Sequence, residues 1–152
     1  RDIQKFEYVP LGPFGAKNFA TTISPWVVMT EALAPFSCPT SAGVQGPKPL
    51  PYLRDPNYSS FNIDLAVAIA PEGGVPTVVS KSNYRHQYWT SRQQLAHHSV
   101  SGCDMRAGDL LASGTISGSD KGTYGSMLEL SWQVPLVRVD VLPLRFAAAH
   151  TP

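Results

Sequence analysis

The sequence predicts a mainly β fold with short helices, and three observations support this expectation. The chain has 12 glycines and 14 prolines among 152 residues, a share above the average of roughly one residue in eight, which favours many turns. Apolar residues alternate with polar or small ones over residues 61–70, and this period of two is typical of a strand. The helical patterns, by contrast, are short and end at proline or glycine.

The first segment of the chain predicts a short helix followed by a sharp turn. Residues 1–8 form the helix, which must stop before Pro10 because proline lacks an N–H and disfavours a helical residue ahead of it. Gly12, Pro13 and Gly15 then allow the backbone to reverse direction.

Hydrogen-bond donors are concentrated in this segment. Arg1, Gln4 and Tyr8 have the spacing of one helix face, and the turn delivers Lys17 and then the hydroxyl of Thr21. A guanidinium, an amide, a phenol and an ammonium together suit an anionic substrate or a developing oxyanion. On spacing alone, an amphipathic helix with a solvated polar face is the better interpretation.

The middle of the chain predicts one hairpin among loops. The alternation over residues 61–70, the turn from Pro71 to Gly74 and the apolar run after it indicate two antiparallel strands. The other elements expected before residue 90 are a strand over residues 21–29 interrupted by Pro25, a short helix over residues 31–36 and a surface loop over residues 37–58.

The clearest helix signal lies near residue 90. Thr90 or Ser91 precedes a glutamine by three residues, which is the arrangement of a capping box, and Gly102 is a natural left-handed stop. His97 and His98 fall in the last turn about 100° apart, so they cannot bind one metal as an i, i+4 pair. We interpret both as structural histidines that interact with the carbonyl end of the helix.

A carboxylate in an apolar stretch follows the last predicted turn. Residues 109–116 predict a strand, a polar turn comes next, and residues 127–132 are largely apolar around Glu129. Glu129 is either a strand residue that points to water or a buried acid of the kind that catalytic sites use. From the residues alone, the first alternative is favoured.

Composition argues against several partners and chemistries. The formal net charge is +1 and charged residues make up 15% of the chain, which gives no reason to expect nucleic acid or a membrane surface as a partner. No apolar run approaches about 18 residues, and no signal-peptide pattern is present. Cys38 and Cys103 fit no chelating pattern and are expected to be reduced thiols. The motifs of serine hydrolases, phosphate-binding loops, dinucleotide sites and zinc clusters are absent.

Three blocks of the sequence resemble one enzyme family. The active-site segment of the fumarylacetoacetate hydrolase family is similar to RDIQKFEYVPLGPFGAKNFATTISPWVV. Two later blocks of the family, in the same order, are similar to KSNYRHQYWTSRQQLAHHSVSGCDMRAGDLLASGTISG and GSMLELSW. We therefore predict a partial catalytic domain over residues 1–132 and a divergent C-terminal tail over residues 133–152, with further sequence expected before Arg1. The resemblance implies the mixed β-sandwich or β-roll of the family's C-terminal domain, in incomplete form.

The resemblance also implies a reaction and its setting. The family's enzyme hydrolyses the carbon–carbon bond of 4-fumarylacetoacetate to fumarate and acetoacetate, in tyrosine and phenylalanine catabolism. The implied cofactors are Mg²⁺ and Ca²⁺, the implied partner is a small diketo acid, and the implied assembly is a cytoplasmic homodimer. Two alternatives stay open: a truncated, non-catalytic product of such an enzyme, and a related oxo-acid hydrolase of the acylpyruvate type.

Residues that act on the substrate are implied in the same way. Arg1, Gln4 and Lys17 would stabilise negative charge on the leaving carbanion or enolate. Gln4, Tyr8 and Thr115 would contact the substrate. This assignment agrees with the donor-rich face of the first segment.

The resemblance assigns the remaining residues to metal binding and water activation. Lys17 and Thr21 would lie by the metal, and Glu129 would orient a histidine that activates the attacking water. In the family, that histidine and the carboxylates that hold the main cation precede the position of Arg1. The chain is therefore expected to hold the anion-stabilising part of the site without its main metal ligands.

Overall fold

The computed structural model describes residues 2–132, which divide after Ala32 into two compact units. Short helices and small antiparallel sheets make up these units, which confirms the predicted mainly β fold with short helices. Arg1 and the predicted tail over residues 133–152 lie outside the described residues. Within the described part, every helix is too short or too polar to cross a membrane.

The first unit begins with two short helices joined by a turn. Helix α1 spans Asp2–Glu7 and confirms the helix predicted before Pro10, and helix α2 spans Gly15–Asn18. The turn between them contains Gly12 with φ of +92°, a left-handed conformation that glycine adopts without a steric cost.

Residues 21–29 form no strand, so the strand predicted there is wrong. Pro25 cannot donate to a ladder, and no described strand pairs with these residues. The next segment, Thr30–Phe36, is a 3₁₀ helix with Pro35 inside it, which confirms the short helix predicted over residues 31–36.

The second unit contains two separate two-stranded antiparallel sheets. In the first sheet, β1 (Ser37–Pro39) pairs with β2 (Ser59–Phe61). In the second sheet, β3 (Asp64–Ile69) pairs with β4 (Thr77–Asn83), which confirms the predicted hairpin.

The strand expected over residues 61–70 is divided between the two sheets. Phe61 ends β2, and the Asn62 N–H donates to the carbonyl of Phe36 at 2.7 Å, so pairing with β4 starts only at Asp64. The loop predicted over residues 37–58 also contains β1 and a 3₁₀ helix, Pro51–Leu53. The period of two identified extended backbone correctly, but it could not show which partner each part pairs with.

Helix α3 spans Ser91–Ser99 and begins as predicted. The Thr90 hydroxyl accepts the N–H of Gln93 at 3.2 Å, and the Gln93 side chain accepts the N–H of Thr90 at 3.0 Å, which completes a capping box. Gly102 follows with φ of +88°, and its N–H donates to the carbonyl of Ser99 at 3.0 Å. This confirms the predicted left-handed stop.

Residues 109–116 form no strand, contrary to the prediction. Their carbonyls are bound by side chains instead of by a neighbouring strand. Gln87 donates to the carbonyl of Ser113, and Ser82 donates to the carbonyl of Ile116, each at 3.0 Å. Two carbonyls of this segment thus bind side chains where the predicted strand would have bound a neighbouring strand.

The stretch around Glu129 is helix α4, Met127–Trp132, and not a strand. Ser126 precedes Glu129 by three residues, which is the spacing of an N-cap and the third helical position. That local signal favours a helix start over the strand suggested by the apolar residues.

The buried residues in the described part of the chain are polar rather than apolar. They are Thr40, Ser60, Ser80, Asn83, Thr90 and Gln93. Gln93 is the most buried at 2% exposure, and its amide donates to the Gln45 side chain and to the carbonyl of Leu53, both at 2.7 Å. A buried amide is tolerated only when it is hydrogen-bonded, so these contacts fix the loop before residue 58 against α3.

Asp55 belongs to the same network. Its carboxylate accepts hydrogen bonds from the Thr90 hydroxyl at 2.9 Å and from Arg92 Nε at 3.0 Å, and its side chain is only 6% exposed. Burial would raise the pKa of Asp55, but hydrogen bonds from Thr90, Arg92 and the Asn57 N–H hold that pKa below its ordinary value of 3.8.

We predict that Thr90→Ala destabilises the protein by about 1–2 kcal/mol, because it removes a helix cap and a hydrogen bond to Asp55. Chemical denaturation followed by circular dichroism measures the change. Thr90→Ser keeps the hydroxyl and should restore most of the stability. Ser91→Ala, at the exposed neighbouring position, is the matched control, and equal stabilities for Thr90→Ala and this control would contradict the prediction.

A second prediction concerns the stability of the protein at acidic pH. Because the folded pKa of Asp55 is lowered, its ionised carboxylate stabilises the fold above about pH 4, and this stabilisation is lost as the pH falls through the folded pKa. Asp55→Asn should therefore be less stable than the wild type at neutral pH and lose less stability on acidification. Denaturation curves at a series of pH values test this, with Asp104→Asn, in an exposed ion pair, as the control. Parallel pH dependences for Asp55→Asn and the wild type would contradict it.

Candidate functional site

The donor-rich first segment is held in its turn by Glu7. The carboxylate of Glu7, at the end of α1, accepts the N–H of Ala16 in α2 at 3.1 Å. A β-carbon at Gly15 would lie 2.7 Å from the same carboxylate, so glycine leaves the room that this contact needs. Glu7 thus fixes the chain reversal that places Lys17, on α2, next to the end of α1.

The predicted site residues of this segment differ in accessibility. Gln4 is half-buried on α1, and Tyr8, just past the end of that helix, is 48% exposed. Lys17 on α2 and Thr21 beyond it are exposed, while Arg1 lies outside the described residues. The first unit therefore presents an amide, a phenol and an ammonium, which are donors that a negatively charged oxygen can use.

Lys17 and Thr21 do not by themselves make a cation site. The ammonium repels a cation, and a single hydroxyl supplies one of the roughly six oxygens that Mg²⁺ or Ca²⁺ requires. Across residues 2–132, no three His, Cys, Asp or Glu side chains are grouped so that they could hold a metal ion. A place beside the metal stays a prediction for both residues.

In the second unit, serines of β4 hold the loop over residues 116–125. Ser80 is buried and donates its hydroxyl to the carbonyl of Tyr124 at 2.6 Å, while Ser82 donates to the carbonyl of Ile116 at 3.0 Å. Alternate residues of a strand point to the same side, so one face of β4 binds both ends of the loop.

The loop also closes on itself. The N–H of Gly118 donates to the carbonyl of Thr123 at 2.9 Å, and the N–H of Thr123 donates to the carbonyl of Asp120 at 3.1 Å. These bonds confirm the polar turn that was predicted here, and they bring Ser117 and Gly125 to its base.

Glu129 is bound by the end of this loop. Its Oε1 accepts the hydroxyls of Ser117 at 2.8 Å and Ser126 at 3.4 Å, and its Oε2 accepts the N–H of Gly125 at 3.3 Å. Glu129 is half-buried and lines a hollow of about 330 Å³. The other lining residues are Gly118, Ser119, Asp120, Lys121, Thr123 and Tyr124. Glu129 is thus a hydrogen-bonded helical carboxylate at the wall of a hollow, which neither alternative from the sequence described.

Thr115 is exposed and lies two residues before Ser117. The bond from Ser82 to the carbonyl of Ile116 therefore fixes the backbone on its C-terminal side. The structure joins the predicted substrate residue Thr115 to the predicted catalytic residue Glu129 through one anchored loop.

Two histidines have hydrogen-bonding partners in the second unit. His97 Nδ1 lies 3.1 Å from the Tyr52 hydroxyl, and the two rings stack with centroids 6.3 Å apart. His86 Nδ1 lies 3.0 Å from the Ser41 hydroxyl. The contact with Tyr52 supports the structural interpretation of His97.

Sequence reasoning did not identify Ser80, Ser82, Ser117 or Gly125. A signal existed for the first two, because serines two residues apart on a strand share a face. No local signal marks Ser117, since its partner Glu129 lies 12 residues further along the chain.

The family model described as "Fumarylacetoacetate (FAA) hydrolase C-terminal" matches residues 1–144. The chain therefore belongs to the fumarylacetoacetate hydrolase family, as the resemblance of the three blocks predicted.

Within that family, the chain is similar to curated proteins named fumarylacetoacetase. It is 59% identical to those of Caenorhabditis elegans and Rattus norvegicus over 134 residues, which cover 88% of this chain and 32% of each relative. It is 53% identical to that of Arabidopsis thaliana over 139 residues, or 90% of this chain and 32% of the relative. The chain spans about a third of the length of these relatives.

We predict that Ser80→Ala loosens the loop over residues 116–125, because the carbonyl of Tyr124 loses the hydrogen bond from Ser80. Leaving such a buried group unpaired costs about 1–3 kcal/mol. Hydrogen exchange of the Gly118 amide, which bonds across the loop, should become faster. Ser101→Ala, in an exposed turn, is the control, and equal exchange rates in the two variants would contradict the prediction.

Proposed function

We propose that this chain forms part of the active site of an enzyme that hydrolyses the carbon–carbon bond of 4-fumarylacetoacetate. The observation that carries the proposal is an identity of 52% to 59% with proteins named fumarylacetoacetase from animals, plants and Dictyostelium discoideum. The donors of the first unit and the bound carboxylate of the second unit support it chemically.

The reaction needs donors because it places negative charge on a leaving group. Water adds to a carbonyl carbon of the diketone, the adjacent carbon–carbon bond breaks, and its electrons leave as the enolate of acetoacetate, which then takes up a proton. Donors that are already in place when the charge develops lower the barrier. We assign this role to the side chains of Gln4 and Lys17, together with Arg1.

The substrate is also an acid, so its carboxylates need hydrogen bonds of their own. Gln4, Tyr8 and Thr115 are proposed to supply them through an amide, a phenol and a hydroxyl. Neutral donors of this kind orient a carboxylate without the strong field of a further cation. Substitutions at Tyr8 or Thr115 should therefore weaken binding more than they slow the chemical step.

Glu129 is proposed to orient the histidine that activates water. A carboxylate that accepts the N–H of an imidazole fixes its tautomer and leaves the other nitrogen free to take a proton. The hydrogen bonds from Ser117, Ser126 and Gly125 support such a role, because they hold the carboxylate at the wall of a hollow.

Dependence on Mg²⁺ or Ca²⁺, a homodimeric assembly and a cytoplasmic location are further proposals that rest on the family. A divalent cation would supply charge stabilisation of the same oxygens. Lys17 and Thr21 do not make a site for one, so we assign no step to it.

The second candidate function is that of a truncated product that does not catalyse the reaction itself. It is favoured because residues 2–132 hold no group of His, Cys, Asp or Glu side chains that could bind a cation. A hydrolase of another oxo acid, such as an acylpyruvate, is the remaining alternative. Competition between acylpyruvate and fumarylacetoacetate in one assay separates it from the main proposal.

The test measures fumarate release by the natural protein that carries these residues, in the length that the cell makes. Lys17→Met should lower kcat about 100- to 1000-fold, as loss of one oxyanion donor does in other enzymes. Lys5→Met removes the same charge from an exposed position of α1 and should leave kcat unchanged. Treatment with a chelator should abolish turnover, and added Mg²⁺ or Ca²⁺ should restore it.

Absence of fumarate release from the natural protein under these conditions would reject the proposed reaction. Turnover by the natural protein but not by the isolated 152 residues would support the second candidate for this chain alone. Equal losses of kcat for Lys17→Met and Lys5→Met would exclude Lys17 as a residue of the proposed site.

A further inference from the structure

The hydroxyl of Ser117 is hydrogen-bonded both to the main chain of Gly125 and to the carboxylate of Glu129. It accepts the N–H of Gly125 at 3.2 Å and donates to Glu129 Oε1 at 2.8 Å. A hydroxyl has one proton to donate, so the bond that it accepts from Gly125 leaves that proton for Glu129. Among the three groups that bind this carboxylate, Ser117 makes the shortest contact.

Gly125 makes this close approach possible. A β-carbon at this position would lie 2.7 Å from Ser117 Oγ and 2.9 Å from the nitrogen of Ile116. Any side chain would therefore displace Ser117 or the main chain beside it. With glycine, the one N–H reaches both Ser117 Oγ and Glu129 Oε2.

The two residues are also anchored from β4. Ser117 directly follows Ile116, whose carbonyl is held by Ser82, and Gly125 directly follows Tyr124, whose carbonyl is held by Ser80. Each group that binds Glu129 across the loop thus lies one residue from a hydrogen bond to a strand. A carboxylate held by groups that are themselves fixed keeps one orientation.

We propose that Ser117 and Gly125 are positioning residues, which fix the orientation of the Glu129 carboxylate for its partner in water activation. This inference rests on the proposed function, in which Glu129 orients a histidine. In this role both residues act through Glu129 and not on the substrate itself. The competing interpretation is that these contacts only stabilise the start of α4, as a helix cap does.

Kinetics of the natural protein distinguish the two interpretations. Ser117→Ala should lower kcat about tenfold or more, which is the loss expected for a hydrogen bond to a charged group, with KM changed less than about twofold. Ser117→Thr keeps the hydroxyl and should recover most of kcat. Ser101→Ala, in an exposed turn away from the hollow, makes the same change and is the matched control. A kcat for Ser117→Ala equal to that of Ser101→Ala would overturn the proposal, as would a loss that Ser117→Thr does not recover.

A readout independent of turnover uses the NMR signal of the Gly125 amide proton. Its hydrogen bonds to Ser117 and Glu129 predict that Ser117→Ala and Glu129→Gln both change the chemical shift of this proton, while Ser101→Ala does not. Gly125→Ala provides a second test, since its β-carbon should produce the same kinetic loss as Ser117→Ala. An amide signal that does not respond to Glu129→Gln would overturn the proposal even if the protein hydrolyses another substrate. Absence of fumarate release with a responsive amide signal would instead reject only the proposed reaction.

Discussion

Hydrogen bonds from buried polar side chains to main-chain carbonyls organise the second unit. Gln93 donates to the carbonyl of Leu53, Ser80 to that of Tyr124, and Ser60 to that of Tyr84, and each of the three donors is buried. Among the described residues, no apolar side chain reaches the same degree of burial. Because a buried donor without its acceptor is costly, each of these bonds restricts its loop to one position. The loops are therefore placed by specific pairs rather than by a general apolar collapse.

This constraint explains how a loop can hold a candidate catalytic group that lies on the helix after it. The strand β4 provides a regular backbone, and its serines bind the two ends of the loop over residues 116–125. The loop in turn binds Glu129 through Ser117 and Gly125. Functional groups are often positioned by loops that a rigid scaffold holds. Here β4 binds the loop, and the loop binds the carboxylate. Changes on β4 should therefore influence the orientation of Glu129.

In the first unit, a carboxylate instead of a hydroxyl fixes the position of the main chain. Glu7 binds the N–H of Ala16, and a β-carbon at Gly15 would lie 2.7 Å from the same carboxylate, which would have to shift. The donors Gln4 and Lys17 consequently lie on two helices whose connection is fixed. In the proposed reaction, carbon–carbon cleavage of a diketone would release an anion, and donors of this kind would stabilise it.

The sequence by itself determined the elements whose signals are local. The capping box at Thr90 and Gln93, the stop at Gly102, the hairpin turn and the helix before Pro10 depend on neighbours within a few residues, so pattern and propensity were sufficient. The family was likewise readable, because long blocks of sequence carry it. Only the tertiary structure decided that Phe61 and Asp64 belong to different sheets, that residues 109–116 bind side chains instead of a strand, and that Ser117 holds Glu129. The physical reason is that these pairings join residues 12 or more positions apart, and a period of two or a single carboxylate does not specify a distant partner.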